Sequence, residues 1–457
     1  MLKVAKFGGS SLAGAEQFKK VKAIVEADPA RMCVVVSAAG KRYKKDNKIT
    51  DLLYLTHAHI NYGVSYEDIF SIIEERYYGI RDELGLKCDL ESEFQKLRGQ
   101  LNQDISVDYL VSRGEYLTAK LMSEYLGYAF LDAADCVVFS YDGQIDYEKT
   151  YANIAARAEM APRFVMPGFY GALPNGRIKV MTRGGSDITG AIVANALDAD
   201  IYENWTDVSG ILMADPKVVE NPKPIKYITN QELRELSYMG ASVLHEESIL
   251  PVKEKNIPLN IRNTNRPQDA GTMILETIDE KLVQNKRLIT GIAGRRSFTV
   301  LTNYKKHIST DTSIIRETLE MLETCKVEVE HITLGVDSFN VVMPTAQIQD
   351  RIYDIISDIK RKLKPDRIKM DDNIALIASV GRRMVSVPGS SAKLFGALGA
   401  CAHEVSGCIV NTGCLLALVL VGFTALYAVG LAHSVTALIA VVAALLVLLG
   451  VALVRGW

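Results

Sequence analysis

The sequence predicts an α/β protein whose central sheet is mainly parallel and covered by helices on both faces. Three observations carry this. Met32 to Ser37 reads MCVVVS, a β-branched run without alternation, as expected of a strand buried on both faces. Such runs alternate with helical patterns over the first 200 residues, the order that wraps helices around a parallel sheet. Glycine-bearing segments join strand to helix, and open α/β sheets bind their ligands at such junctions.

Each element follows in order. Leu2 to Phe7 is the first strand and ends in Gly8-Gly9-Ser10-Ser11, before a helical pattern through Phe18, Val21, Ile24 and Val25. Met32 to Ser37 ends in Ala38-Ala39-Gly40 and a basic loop, Lys41 to Lys48, that reads as a solvated flap. Ile49 to Gln103 is helical in pattern, and Ser112-Arg113-Gly114-Glu115 is expected to open another helix. Phe130-Leu131, Cys136-Val137-Val138, Arg163 to Gly168 and Ile178 to Met181 read as strands. Thr182 to Asp187 leads into a helix at Ile188 to Leu197, and Ala199 to Asn204 is a strand entering Thr206-Asp207-Val208-Ser209-Gly210. Around Ile289 the character changes. Strands at Thr290 to Leu301 and Phe339 to Met343 enclose a helix at Ser313 to Glu323. Ile374 to Val380 and a helix at Ala392 to Leu398 restart the pattern, so a regulatory half built by duplication is expected.

The 457 residues suit about three domains. With 52 Lys+Arg, 54 Asp+Glu and a net charge of −2, nothing points to nucleic acid. The average hides a break: from Ala400 to Trp457 only Glu404 and Arg455 are charged. Leu415 to Leu431 and Val435 to Val454 are uncharged and near the length of about 20 residues that crosses a bilayer. Two readings of 400–457 stand: a membrane hairpin over 415–454, or an altered reading frame or spliced ending. The N-terminus lacks the apolar core of a signal peptide. Cys33, Cys88, Cys136 and Cys325 are scattered as reduced thiols of a cytoplasmic protein. Cys401, Cys408 and Cys414 are spaced by seven and six, whereas zinc ligand pairs sit about two to five apart, so no metal site is expected.

Four motifs carry chemistry, and all are expected at strand–helix junctions on one edge of the sheet. In Lys6-Phe7-Gly8-Gly9-Ser10-Ser11 a lysine closes a strand, and glycines let backbone amides approach an anion at a helix N-terminus. In Thr182-Arg183-Gly184-Gly185-Ser186-Asp187 the Arg183 fork suits a carboxylate, and Asp187 falls in the first turn of a helix. Thr206-Asp207, with Asp215-Pro216-Lys217 beyond, can receive a nucleotide, Lys217 reaching phosphates. Glu115 can hold a ligand ammonium. Together they suit a phosphate donor facing a small zwitterionic acid.

The chain resembles the monofunctional, amino-acid-regulated aspartate kinases. The matching strings are KFGGSS at Lys6, VVSAAGKR at Val35, KITDLL at Lys48, SRGE at Ser112, GFYGA at Gly168, TRGGSD at Thr182, TDVSGI at Thr206, VLH at Val243 and GRRMVSVPG at Gly381. They run in family order through residue 399. The resemblance implies a three-layer αβα amino-acid-kinase sandwich over 1–285 and a ferredoxin-like ACT regulatory unit over 286–370. A second ACT unit would begin at 371–399 and be left incomplete by the apolar tail at 400–457, with an exposed sheet edge and weakened feedback control.

The implied reaction is phosphoryl transfer from MgATP to the β-carboxylate of L-aspartate, giving 4-phospho-L-aspartate, with no bound prosthetic group. It is the first step towards lysine, threonine and methionine. By resemblance, Lys6 steadies the phosphoryl charge, Asp187 lies near the phosphoryl centre, and Gly8, Gly9 and Ser10 cradle phosphates. The aspartate site maps onto Ser37, Thr50, Glu115 and Arg183, and the nucleotide site onto Thr206, Asp207 and Lys217. Thr333, Asp337 and Ser338 resemble an effector loop for lysine or threonine, at a pairing of ACT units between two copies of the chain. One departure concerns the nucleotide: the family often has Lys in GAKVLHP, where this chain has Ser242. The alternatives are a kinase acting on a glutamate-type carboxylate and a non-catalytic amino-acid sensor.

Overall fold

A computed structural model of the chain describes residues 1–182, 184–240, 244, 248–279, 289–306, 308, 313–382, 384, 387–401, 405–410 and 417–422. Among the described residues the chain forms two compact units, one of 1–295, 377–397, 408–410 and 417–419, the other of 296–376, 398–401, 405–407 and 420–422.

The first unit begins with β1 (Lys3–Phe7), α1 (Ala15–Glu26), β2 (Arg31–Val36), α2 (Ile49–Asn61), α3 (Glu67–Leu84), α4 (Leu90–Arg98) and α5 (Val107–Leu126). It continues with β3 (Ala129–Phe130), α6 (Tyr147–Met160), β4 (Phe164–Pro167), β5 (Tyr170–Ala172), β6 (Ile178–Val180), α7 (Gly185–Ala196) and β7 (Ile201–Thr206). Then come β8 (Tyr227–Thr229), α8 (Asn230–Tyr238), α9 (Leu250–Glu254), β9 (Leu259–Asn263) and β10 (Thr272–Leu275). The eight-stranded sheet has the order β3-β4-β2-β1-β7-β9-β10-β8. Only the β9–β10 pair is antiparallel among the registers described. Helices α1, α3 and α5 contact one another and reach β2, while α6, α7 and α9 form a second group that reaches β1 and β7 through α7. The expected layered, mainly parallel architecture is therefore present.

Local sequence explains these elements. Phe18, Val21, Ile24 and Val25 give α1 one buried stripe, packed with Phe7, Val34 and Val36 in one core cluster. Each such buried side chain contributes about 1.5–3 kcal/mol. Asp89 and Asp146 cap α4 and α6, and Thr229 with Glu232 closes a capping box on α8. Glu232 is fully buried, and its other oxygen accepts from Thr290 Oγ1 (2.6 Å) and Arg382 Nε (3.0 Å).

Three expectations are corrected. Ser112–Glu115 does not open a helix; it lies inside α5, which begins at Val107. Cys136–Val138 is not a strand: Val138 makes an isolated bridge to Ala172. Ile178–Val180 pairs only with β5 as a separate hairpin, so the second glycine motif follows a hairpin strand and not a strand of the main sheet.

The sheet of the C-terminal region runs β12-β13-β11-β14-β16-β15. Its elements are β11 (Gly291–Tyr304), α10 (Ser313–Thr324), β12 (His331–Leu334), β13 (Ser338–Pro344), α11 (Thr345–Ile348), α12 (Ile352–Leu363), β14 (Arg367–Val380), α13 (Ser390–Cys401), β15 (Val405–Val410) and β16 (Ala417–Gly422). Leu301, Phe339, Val341 and Met343 pack against Met321 and Leu322 of α10 and Ile355 and Ile359 of α12. The edge of β14 expected to be bare carries β16 and then β15. The proposed membrane hairpin lies almost wholly outside the described residues. Among those described, no helix is long and apolar enough to cross a membrane.

Candidate active site

The site forms where the C-terminal ends of β1, β2 and β7 meet the first turn of α7. Register aligns Lys6 with Val35 and with Asn204, and Phe7 with Val36 and with Trp205. Lys6 is buried, and its ammonium is ion-paired with Asp187 Oδ1. The same oxygen accepts from Asn204 Nδ2 at 2.8 Å, and Tyr202 donates to the Asp187 carbonyl at 3.0 Å. Burial and the Asp187 charge push the Tyr202 hydroxyl well above its ordinary range, so it remains a donor. Sequence reasoning placed Lys6 and Asp187 together but missed Asn204 and Tyr202. The available signal was a polar pair, Glu203 and Asn204, inside an otherwise apolar central strand.

The two loops over this cluster interlock through glycine. Gly40 donates to the Gly9 carbonyl at 2.9 Å, and a Cβ on Gly40 would lie 2.5 Å from Gly9 backbone atoms. Gly8 donates to the Trp205 carbonyl at 3.0 Å. Its amide is thus engaged with the sheet.

Ser37, Thr50 and Glu115 converge on the segment after β2. Ser37 donates its amide to the Phe7 carbonyl (3.1 Å), and Ile49, beside Thr50, donates to Ala39 (3.1 Å). Gly114 lets α5 dock there, since a Cβ would come 2.9 Å from the Ala38 Cβ. Glu115, the next residue, is buried, and its Oε2 has no hydrogen-bond partner. Desolvation raises its carboxyl to about 8, against the opposing pull of the Ala38 amide and Arg113. A buried acid with an open oxygen is poised for an ammonium ligand. Arg183 and Ser242 lie outside the described residues.

Thr206 ends β7 and Asp207 follows it, next to the Trp205 carbonyl that receives Gly8. Lys217 sits on an exposed turn, its amide on Asp215 Oδ1 (2.8 Å), and no described contact joins it to the Lys6 cluster.

The basic loop is exposed at Lys41 to Lys45 but pinned at its end. Asp46 is buried and takes Arg42 Nε (2.9 Å) and Arg76 Nη2 (2.7 Å), and Arg42 holds its carboxyl well below the usual range. Arg76, buried on α3, also donates to the Gly40 carbonyl at 2.9 Å. Asp46→Asn would strand this guanidinium without a counter-charge. It is expected to destabilise the protein by about 3–5 kcal/mol, measured by urea unfolding.

In the second unit, Thr333 on β12 accepts from Asn340 Nδ2 (2.8 Å), and Gly335 donates to the Ser338 carbonyl (2.7 Å). Thr333, Asp337 and Ser338 therefore share one hairpin turn.

A carboxylate-held lysine under two interlocked glycine loops is the arrangement of a phosphoryl-transfer enzyme that works on a small acid. The chain belongs to the amino acid kinase family, whose sequence model matches residues 1–263. It is 34% identical to Aspartokinase 3 of Bacillus subtilis over 415 residues, 87% of this chain and 90% of that protein. It is 27% identical over 417 residues to Lysine-sensitive aspartokinase 3 of Escherichia coli, covering 86% of this chain and 90% of that protein. The solved aspartate kinase of Clostridium acetobutylicum superposes with a TM-score of 0.84 and 42% identity, over 92% of this chain and 96% of that one. The activity is that of an aspartate kinase, and the C-terminal region is ACT-like.

Proposed function

We propose the following division of labour among the site's residues. MgATP enters with its terminal phosphates over the Gly9–Ser10 turn, and Thr206, Asp207 and Lys217 hold the rest of the nucleotide. Mg²⁺ arrives as part of this substrate and neutralises charge between phosphates. L-Aspartate places its ammonium on Glu115 and its α-carboxylate on Arg183, with Ser37 and Thr50 flanking it. A β-carboxylate oxygen attacks the γ-phosphorus in line; the new O–P bond forms as the bond to the β,γ-bridging oxygen breaks, and ADP leaves. Lys6 carries the charge that develops on the transferring group, and Asp187 with Asn204 fixes its ammonium before substrate arrives. Positioning and charge stabilisation of this kind supply most of the rate in phosphoryl transfer.

The part-buried Lys6–Asp187–Asn204 cluster beside the Gly9–Gly40 contact carries this reading. A hydroxamate assay with ATP, Mg²⁺ and hydroxylamine tests it. L-Aspartate is expected to yield the trapped acyl phosphate and L-glutamate none; product with glutamate alone would overturn the assignment.

The same proposal covers regulation. The catalytic part spans 1–285, the first ACT unit 286–370 and the start of a second 371–399. The Thr333–Ser338 turn receives an amino-acid effector, lysine being favoured by the lysine sensitivity in the Escherichia coli relative's name. ACT units pair between two copies of a cytoplasmic chain.

A further inference from the structure

Side chains alternate along β7, so Glu203 and Trp205 face away from the Asn204 cluster. On that opposite face a cleft of about 500 Å³ opens between α1 and the segment after β9. Its charges do not balance. Glu203 is buried and engaged by Arg31 Nε (2.7 Å) and Trp205 Nε1 (2.9 Å). Asp28 is taken by Lys3 at 2.7 Å. Arg262 lies over the Trp205 ring, 4.5 Å from its centroid, and reaches the shared Glu203 only at 3.6 Å. Its Nη2 donates to the Pro267 carbonyl (2.6 Å), while its buried Nε has no partner. Lys20 is held by Asn265 Oδ1, a neutral group, at 2.8 Å. Lys3, Lys20, Arg31 and Arg262 thus outnumber the acids near them, Asp28, Glu203 and the outlying Glu16, whose hydrogen bond goes to Lys19, a surplus of positive charge beside an open cleft. Burial, with repulsion from Arg31, already pulls the Arg262 guanidinium below its ordinary value.

Ile24, Ala27 and Pro267 supply an apolar wall. The volume lies in the range of small-molecule sites, and a guanidinium fork favours a carboxylate. Asp28 within the lining disfavours a multiply charged phosphate. We propose that this cleft binds a small organic monocarboxylate, its carboxylate on Arg262 and Lys20 and its apolar body against Ile24 and Pro267.

The cleft is tied to the phosphate loop. Thr264 in its wall shares a hydrogen bond with Ser11 (2.7 Å). Trp205 stacks on Phe7, with centroids 6.0 Å apart and planes 17° apart, and its carbonyl receives Gly8. An occupant therefore bears on the turn over which ATP is placed, and a change in the KM for ATP is expected.

The test uses the full chain with saturating aspartate, so that the substrate carboxylate site is filled. Trp205 is one of only two tryptophans, and a Trp457→Phe background makes emission report on it alone. Cyclohexanecarboxylate is the probe, with cyclohexylmethanol and inorganic phosphate as controls. The acid is expected to shift Trp205 emission saturably, and the controls to leave it unchanged. Arg262→Met should weaken the acid at least tenfold. Lys20→Met, at an exposed position, should weaken it several-fold and covers the case in which the first variant misfolds. Equal binding of the alcohol, competition by phosphate at equal concentration, no response to the acid, or unchanged affinity in both variants would each overturn the proposal. The readout needs no turnover, so it stands or falls separately from the catalytic assignments.

Discussion

Lys6→Ala is expected to abolish turnover, by roughly 10³-fold or more, while L-aspartate still binds. The scale follows from preorganised charges at developing phosphoryl charge, where single cationic groups are worth roughly 10³–10⁵ in rate. Lys6 is buried, ion-paired with Asp187 and backed by Asn204, so it meets the phosphoryl group without reorganising. Ser37 follows β2, Thr50 lies on α2 and Glu115 on α5, and none of them shares a described side-chain contact with that pair. Calorimetry with aspartate should therefore give an affinity close to the parent's, with single-turnover assays showing the loss. Turnover within tenfold of the parent would refute the role given to Lys6.

Glu115→Gln is expected to raise the KM for aspartate about 10–100-fold, the worth of one charge-assisted hydrogen bond of about 1.5–3 kcal/mol. The pH dependence is diagnostic. With its carboxyl raised to about 8 by burial, free Glu115 is largely protonated at neutral pH, and an ammonium ligand must displace that proton. Aspartate affinity should thus rise with pH up to about 8, with proton release visible as a buffer-dependent binding enthalpy; the Gln variant should show neither. Stability moves the other way. The folded state holds this proton more tightly than the unfolded chain, so its contribution is fully present below the ordinary value of 4.5 and lost as pH rises through about 8. At pH 9 the Gln variant should unfold at higher urea than the parent, and a lower midpoint there would contradict the assignment.

The central sheet and its glycine loops were legible because their residues serve one purpose each. MCVVVS can be little other than a strand buried on both faces, and Gly40 must be glycine where Gly9 lies so close. The SRGE segment was misplaced because Ser, Arg, Gly and Glu all read as a helix start. In fact Gly114 is small so that α5 can rest on Ala38, and Glu115 is buried in the middle of that helix. Strands β8, β9 and β10 are three, five and four residues long, too short to display a period. Asn204 was hidden because a polar residue in a core strand gains meaning only when Asp187, 17 residues earlier, is seen to bond it.

Arg382 reaches Glu232 from a stretch that belongs to the first unit although residues 296–376 of the second precede it in sequence. Residues 296–376 are thus bracketed in sequence by segments of the first unit. Cutting the gene after residue 376 would delete the cation opposite a fully buried carboxylate, and swapping regulatory modules between relatives would need two matched splice points. A truncation that takes Arg382 away requires that Glu232 change as well, whereas excision of 296–376 alone leaves this pair in place.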